Sequence, residues 1–483
     1  MSKRATTMTL AGAADLLKRG MVEAARDGLQ HLCRHEPRNA EAAHLLGLAL
    51  FRCGQIDASI AELDRAVQLR PASGAFHNSL GNVLLVRGDF DRAATVLRRA
   101  VELDARLGES WVGLSLALAK LNDITAAIAA GRESLKLLPN AFQPYANLSS
   151  SLRTAGEVEE GIAILEQARQ RFPGSVEILD LLLAARNYSS RSTPEQCINE
   201  ARQFGTLVGP PEAVQWPNVR DAQRRLRIGY LSADLRSHSV SYFLEPILAN
   251  HDRSAFEVHV YSLSPRSDKT TERLRSSAAV WRNVERLNSR GLIAQLREDR
   301  LDVLIELGGH TTGNRLGALA KGAAPVQVTY LGYPNTTGVP AIGYRIVDAL
   351  TDPPLEGAGA EQYATEQLVR LPGCFLCYGP NVDAPLSEVQ PPCERAGYVT
   401  FGCFNSLPKI DTTVLDCWAT LLQRVGNSRL LLKNKSFADA GVCERWRRIL
   451  ADRGIETSRV EMIGRTPKCL EHLAMYSSVD LGL

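Results

Sequence analysis

Three segments of this chain set residues able to do chemistry among the Gly, Ser and Asp that shape loops. Ser232-Ala233-Asp234-Leu235-Arg236-Ser237-His238-Ser239 offers a histidine, the side chain that exchanges protons near neutral pH. Gly308-Gly309-His310-Thr311-Thr312-Gly313-Asn314-Arg315 opens on paired glycines, which let backbone approach a ligand, and leads into a helix start whose free N–H groups suit an anion. Phe404-Asn405-Ser406-Leu407-Pro408-Lys409-Ile410-Asp411 supplies Lys409, whose ammonium could neutralise a departing diphosphate. These segments make Gly309, His310, Thr311, Ser406 and Lys409 candidates for holding a phosphate-bearing ligand, and His238 and Lys409 candidates for catalysis. Asp268, in SPRSDKTTE, is a weaker proton acceptor than His238. Each feature also has a plain reading: an idle loop histidine, a tight Gly turn, a solvated lysine, a solvated carboxylate.

All three segments follow apolar runs of strand length. From Leu226 the runs LRIGYLSAD, EVHVYSLS, LDVLIEL and PVQVTYLG alternate with helical stretches, and a second series runs from YVTFGCF through SRLLLKN and RVEMIG to VDLGL. Such alternation implies parallel sheets covered on both faces, here two Rossmann-like units in tandem. In open parallel sheets ligands lie beyond the carboxyl ends of the strands, where these loops must fall.

The first third obeys a different rule. Gly20, Gly54, Gly88 and Gly156 lie on a 34-residue ruler with Asn122 on the remaining mark. On the same ruler stand Ala25, Ser59, Ala93, Ala127 and Gly161, and Pro37, Pro71, Ala105, Pro139 and Pro173. Small residues suit close helix crossings, Gly ends a first helix in a left-handed turn, and Pro stops a second, so this is a tetratricopeptide array of five repeats over residues 6–173. Its concave groove would bind polypeptide; a first-helix Asn that could grip a peptide backbone occurs at Asn147, whereas the equivalent positions elsewhere are Ala11, Leu45, Ser79 and Gly113. Repeats of this kind pack against their neighbours, which predicts that residues 1–190 fold alone. Capping helices and a Pro-rich linker fill 174–225, with Arg186 where a large apolar residue is expected, and 226–390 and 391–483 make the two lobes.

With 483 residues, 45% hydrophobic and 23% charged, the composition is that of a soluble protein of several domains. A net charge of +3 gives no case for nucleic-acid or membrane-surface partners. The start MSKRATTMTL has no apolar signal core and no run is long enough to span a bilayer, so a cytoplasmic location is expected. The 10 Cys are scattered, and Cys374 and Cys377 lack a second ligand pair at zinc spacing; buried, reduced thiols are expected. The triplet Asp89-Phe90-Asp91 sits in a repeat turn, so no metal is expected.

The phrases RIGYLSADLRSHSVSYFLEP, LIELGGHTTGNRLGALAKGAAPVQVTYLGYPNTTG, YRIVDALTDPP and FGCFNSLPKID resemble those of the tetratricopeptide-bearing protein O-glycosyltransferases, the O-linked N-acetylglucosamine transferase and SPINDLY group. The resemblance implies an α-solenoid followed by a GT-B fold of two Rossmann-like lobes, with transfer of N-acetylglucosamine from UDP-GlcNAc to Ser or Thr of polypeptides selected by the repeats. It implies further that His238 lies beside the reacting sugar and Lys409 contacts the donor diphosphate. A SPINDLY-like protein O-fucosyltransferase with a guanosine donor, and a non-catalytic repeat scaffold, are the alternatives. Gly343 replaces the acidic residue usual before Tyr-Arg, and the chain ends at Val479-Asp480-Leu481-Gly482-Leu483, short of the Gly/Thr-rich loop that the resemblance places next; the second lobe is expected to be truncated.

Overall fold

The structure, a computed structural model, describes residues 9–354, 359–379, 390–466 and 468–483. Five helical hairpins come first: α1 (Leu10–Lys18) with α2 (Val22–His35), α3 (Ala40–Arg52) with α4 (Ile56–Leu69), α5 (Gly74–Arg87) with α6 (Phe90–Leu103), α7 (Gly108–Lys120) with α8 (Ile124–Leu137), and α9 (Phe142–Ala155) with α10 (Val158–Arg171). Every mark on the 34-residue ruler is left-handed, with φ of 77° at Gly20, 75° at Gly54, 85° at Gly88, 64° at Asn122 and 88° at Gly156. Asparagine tolerates this conformation better than other side chains, which is why it can replace Gly. The close crossings are also direct: Ser59 Oγ donates to Gly47 O at 2.7 Å and Ser115 Oγ to Ala127 O at 2.8 Å. Asp89 caps α6 by accepting from Arg92 N, a structural role for the Asp-Phe-Asp triplet. Asn147 is engaged as well, its Nδ2 donating to Val112 O at 3.2 Å, so it is already committed to repeat packing.

Two further helices follow, α11 (Val176–Arg186) and α12 (Pro194–Val208). Arg186, where the repeat pattern fails, is buried and its Nη2 pairs with Glu166 Oε1 at 2.7 Å and Glu200 Oε1 at 3.0 Å. The first sheet contains β1 (Leu226–Ser232), β2 (Phe256–Ser262), β3 (Val280–Asn283), β4 (Val303–Glu306), β5 (Val326–Thr329), β6 (Tyr344–Asp348) and β7 (Gln367–Leu371), with α13 (Ser239–Asn250), α14 (Lys269–Ser276), α15 (Ser289–Glu298) and α16 (Leu316–Leu319) between them. Its order is β3-β2-β1-β4-β5-β6-β7 and all pairings are parallel, so the strand order reverses between β1 and β4. Successive residues alternate between two cores: Leu231, Tyr261 and Leu304 pack on one face, Tyr230, Val260 and Ile305 on the other. Both faces are covered, as the near-continuous apolar runs require.

The second sheet is built from α17 (Pro392–Ala396), β8 (Val399–Cys403), α18 (Thr412–Arg424), β9 (Ser428–Lys433), α19 (Ala440–Ala451), β10 (Val460–Ile463), α20 (Cys469–Ala474) and β11 (Leu481–Gly482). The order is β10-β9-β8-β11, again parallel. Two compact units result: the described residues up to Ile164 with 390–466 and 476–483, and Leu165 to 379 with 468–475.

The first of these corrects the expectation that the repeats pack only on one another. Ile124, Leu148 and Leu152 of the last two hairpins share a core with Leu407, Trp418 and Trp446. Polar contacts reinforce it: Asn122 Nδ2 donates to Lys435 O at 2.8 Å, Trp446 Nε1 to Ala155 O at 3.1 Å, and Thr125 N and Oγ1 to the Asp439 carboxylate at 2.7 Å each. At Gly156 a Cβ would sit 3.0 Å from the Trp446 ring, so that mark needs Gly for space as well as for φ. The ruler reports repeat identity and is silent on what the outer helix faces meet.

Candidate functional site

At the carboxyl end of β1 the chain turns through Asp234 and Arg236 into α13. Ser241 Oγ donates to the carbonyls of Asp234 and Arg236 at 3.1 and 2.6 Å, and Ser237 N donates to Asp268 Oδ2 at 2.7 Å. Asp268 is thereby a clamp, and it also forms a capping box with Thr271 at the start of α14. Burial raises its carboxyl, but hydrogen bonds from Ser237, Thr271 and Thr270 outweigh that and hold it below the ordinary range, which makes it a poor proton acceptor. His238 caps α13: Nδ1 accepts from Val240 N at 3.3 Å, and Nε2 stands 3.8 Å from Asp234 Oδ1. That bond selects the tautomer with its proton on Nε2, so the ring, 37% exposed, presents a donor.

After β4, Glu306 turns back under its own loop. Its Oε2 accepts from Gly308 N at 3.0 Å and Gly309 N at 2.8 Å, and its Oε1 accepts from Thr329 Oγ1. Burial pushes the Glu306 carboxyl up, against the hydrogen bonds from Thr329, Gly309 and Gly308 and the charge of His310. The amide of Gly309, expected among the ligand contacts, is therefore occupied together with that of Gly308 by an internal carboxylate. His310 is buried, with Nδ1 2.6 Å from Asp180 Oδ1 and Nε2 2.9 Å from Thr337 O, while Thr311 Oγ1 donates to Gly308 O at 2.8 Å. Gly309, His310 and Thr311, expected as ligand contacts, thus have polar groups engaged in shaping the loop. The crevice at the β1–β4 reversal, walled by Ser232, Glu306, Thr311 and Arg315, holds only about 10 Å³, whereas a cavity of about 440 Å³ lies beside β5 and β6, walled by Tyr330, Tyr333, Asn335, Arg345, Tyr363 and Phe375.

Beyond β8 the picture differs. Asn405, Ser406 and Lys409 are exposed, Lys409 ending a 3₁₀ turn that buries Leu407 and Pro408 beneath it. Among the described residues no carboxylate pairs with the Lys409 ammonium. Nearby, Lys433 ends β9 almost buried, with Nζ 5.8 Å from the centre of the Phe404 ring; burial pulls its ammonium below the ordinary lysine range. Asn434 Nδ2 donates to Asn405 O at 3.1 Å and ties the two loops together.

Sequence reasoning missed Glu306, Asp180, Lys433 and Asn434. The signal was present in three of them: a carboxylate inside LDVLIEL, an Asp among the leucines of EILDLLLAAR, and a Lys closing SRLLLKN. The cysteines also depart from expectation, since Cys374, Cys377 and Cys417 are exposed while Cys33, Cys197, Cys403 and Cys443 are buried. Among the described residues no helix is long and apolar enough to cross a membrane.

Residues 203–379 match Glycosyl transferase family 41, and 10–75 and 78–142 match the tetratricopeptide repeat. The chain is 31% identical to a solved mutant of Thermobaculum terrenum O-GlcNAc transferase, covering 100% of this chain and 79% of that one with a TM-score of 0.64. It belongs to glycosyl transferase family 41. Its fold class is that of the family, a tetratricopeptide solenoid followed by GT-B-type Rossmann-like sheets. The family 41 chain is also 40% identical over 308 residues to the probable UDP-N-acetylglucosamine–peptide N-acetylglucosaminyltransferase SPINDLY of Arabidopsis thaliana, covering 62% of this chain and 33% of that protein. With the similarly named SEC of the same plant it shares 32% identity over 252 residues, 49% of this chain and 24% of that protein. It thus spans a third or less of the length of these curated relatives.

Proposed function

We propose that the chain transfers N-acetylglucosamine from UDP-GlcNAc to Ser or Thr hydroxyls of polypeptides brought by the repeats. What carries this reading is the likeness, over the whole chain, to a protein named O-GlcNAc transferase. The exposed Lys409 contacts the donor diphosphate with help from Ser406, and its ammonium stabilises the charge that develops as the diphosphate leaves. His238 donates a hydrogen bond from Nε2 to the reacting sugar, and the first-sheet loops hold it in place. As the acceptor oxygen bonds the anomeric carbon, the bond to the diphosphate breaks, UDP leaves with its electron pair, and the hydroxyl proton passes to the departing diphosphate or to water. No step in this reading uses a metal, since the Lys409 ammonium meets the charge of the leaving group. The names of the relatives favour N-acetylglucosamine over fucose.

Incubation with UDP-GlcNAc or GDP-fucose and a peptide library, followed by mass spectrometry, tests it. N-acetylhexosamine on Ser or Thr with UDP-GlcNAc is the expected product. Deoxyhexose from GDP-fucose alone would overturn the donor, and no product from either would leave the repeat-scaffold reading standing.

A further inference from the structure

The contacts of α11 and α12 with the loop after β4 fix a charge. The His310 side chain is fully buried, and its two ring nitrogens face Asp180 Oδ1 at 2.6 Å and Thr337 O at 2.9 Å. A backbone carbonyl can only accept. The Asp180 carboxylate accepts elsewhere too, since Asn314 Nδ2 lies 3.1 and 2.9 Å from its two oxygens. With Asp180 as a carboxylate, both imidazole nitrogens donate, and a ring that donates from both is positively charged. Asp180 is its counter-ion, and a buried charge is tolerated only with such a partner. Phe204 of α12 and Tyr333 meet the ring edge-to-face, with centroids 4.6 and 5.1 Å away, and Tyr333 Oη donates to Leu183 O of α11 at 3.3 Å.

The backbones are fitted as closely. A Cβ on Gly338 would collide with Ala201 O of α12, and one on Gly205 would collide with Gly338 O. Two loops, 307–315 and 330–340, thus rest on the helical segment rather than on the sheet alone.

We propose that Asp180 is a positioning residue of the transferase site. By holding His310 as a charged, doubly donating ring, and by gripping Asn314, it sets the backbone of the loop that walls the β1–β4 crevice opposite Ser232 and Ala233. The part of this proposal that concerns catalysis rests on the function proposed above. Without Asp180 the ring keeps at most one donated proton, the Asn314 amide loses both acceptor oxygens, and the loop leaves its geometry without losing any group that touches substrate.

Asp180→Asn is the informative variant, because its amide keeps the shape and can still donate to Nδ1 of a neutral ring bonded to Thr337 O. In wild-type protein labelled with ¹⁵N-histidine, both His310 nitrogens should show the shifts of protonated imidazolium, assigned by their loss in His310→Gln. In Asp180→Asn one of them should move to the unprotonated range, and amide exchange over 308–314 should quicken. Turnover should fall about tenfold to a hundredfold, the scale of misplacement by a fraction of an ångström to one ångström, with the KM for UDP-GlcNAc unchanged. A neutral ring in the wild type, or an Asp180→Asn protein with wild-type exchange and turnover, overturns the proposal. If the wild type transfers no sugar at all, the proposed function falls, while the ring signals and loop exchange still decide whether Asp180 holds the loop.

Discussion

Two loops at the carboxyl ends of parallel strands, after β4 in the first sheet and after β8 in the second, treat their polar groups in opposite ways. In the first, the amides of Gly308 and Gly309 donate to Glu306, both nitrogens of His310 are bonded, and Asn314 grips Asp180. In the second, Asn405, Ser406 and Lys409 stand exposed over a buried Leu-Pro base. Buried polar groups must find partners inside the protein, whereas exposed ones remain available to a ligand. A motif rich in Gly, His and Thr can therefore be a frame, and a plainer one with a single lysine can be the contact.

Substitution should separate the two. Glu306→Ala removes the acceptor of two buried amides and one hydroxyl and leaves a void, so we expect a loss of about 3–5 kcal/mol of stability by chemical denaturation. Loss of under about 1 kcal/mol would mean that the first loop is not the rigid frame described. Lys409→Ala should behave in reverse. Its stability should stay within about 0.5 kcal/mol of wild type, while transfer loses about 2–4 kcal/mol of transition-state stabilisation, read from kcat/KM.

Smaller effects follow. Asp268→Ala should cost about 1–2 kcal/mol as a lost cap, and leave the shape of the pH–rate profile unaltered; disappearance of the acidic limb would make it the proton acceptor after all. Because the folded carboxyl is held low, its contribution is present above the ordinary Asp range and is lost as pH falls through the folded value. The wild-type advantage over Asp268→Ala should shrink on acidification accordingly. Asn122→Gly keeps the left-handed turn and removes only the bond to Lys435 O, for about 0.5–1.5 kcal/mol; a larger loss would show that the amide does more than join repeat to sheet.

The repeats were legible because each ruler column answers to one local cause: a turn, a crossing or a stop. The parallel sheets and their two-faced cores followed from continuous apolar runs alternating with helical stretches. Which motif groups are free was not legible, because it depends on partners far along the chain: Asp180 is 130 residues from His310, and the Glu306 contact depends on how the loop curls over the end of its strand. The union of the last hairpins with the second sheet was hidden for the same reason, since Trp446 and Asp439 lie hundreds of residues from Ala155 and Thr125.

The division between frame and contact is tested most directly by calorimetric titration of UDP into wild type, Lys409→Ala and Asp180→Asn. We predict that UDP binds the wild type, weakens about tenfold to a hundredfold with Lys409→Ala, as for loss of a charge-assisted hydrogen bond, and keeps wild-type affinity with Asp180→Asn. Undiminished binding by Lys409→Ala, together with loss of binding by Asp180→Asn, would contradict the account.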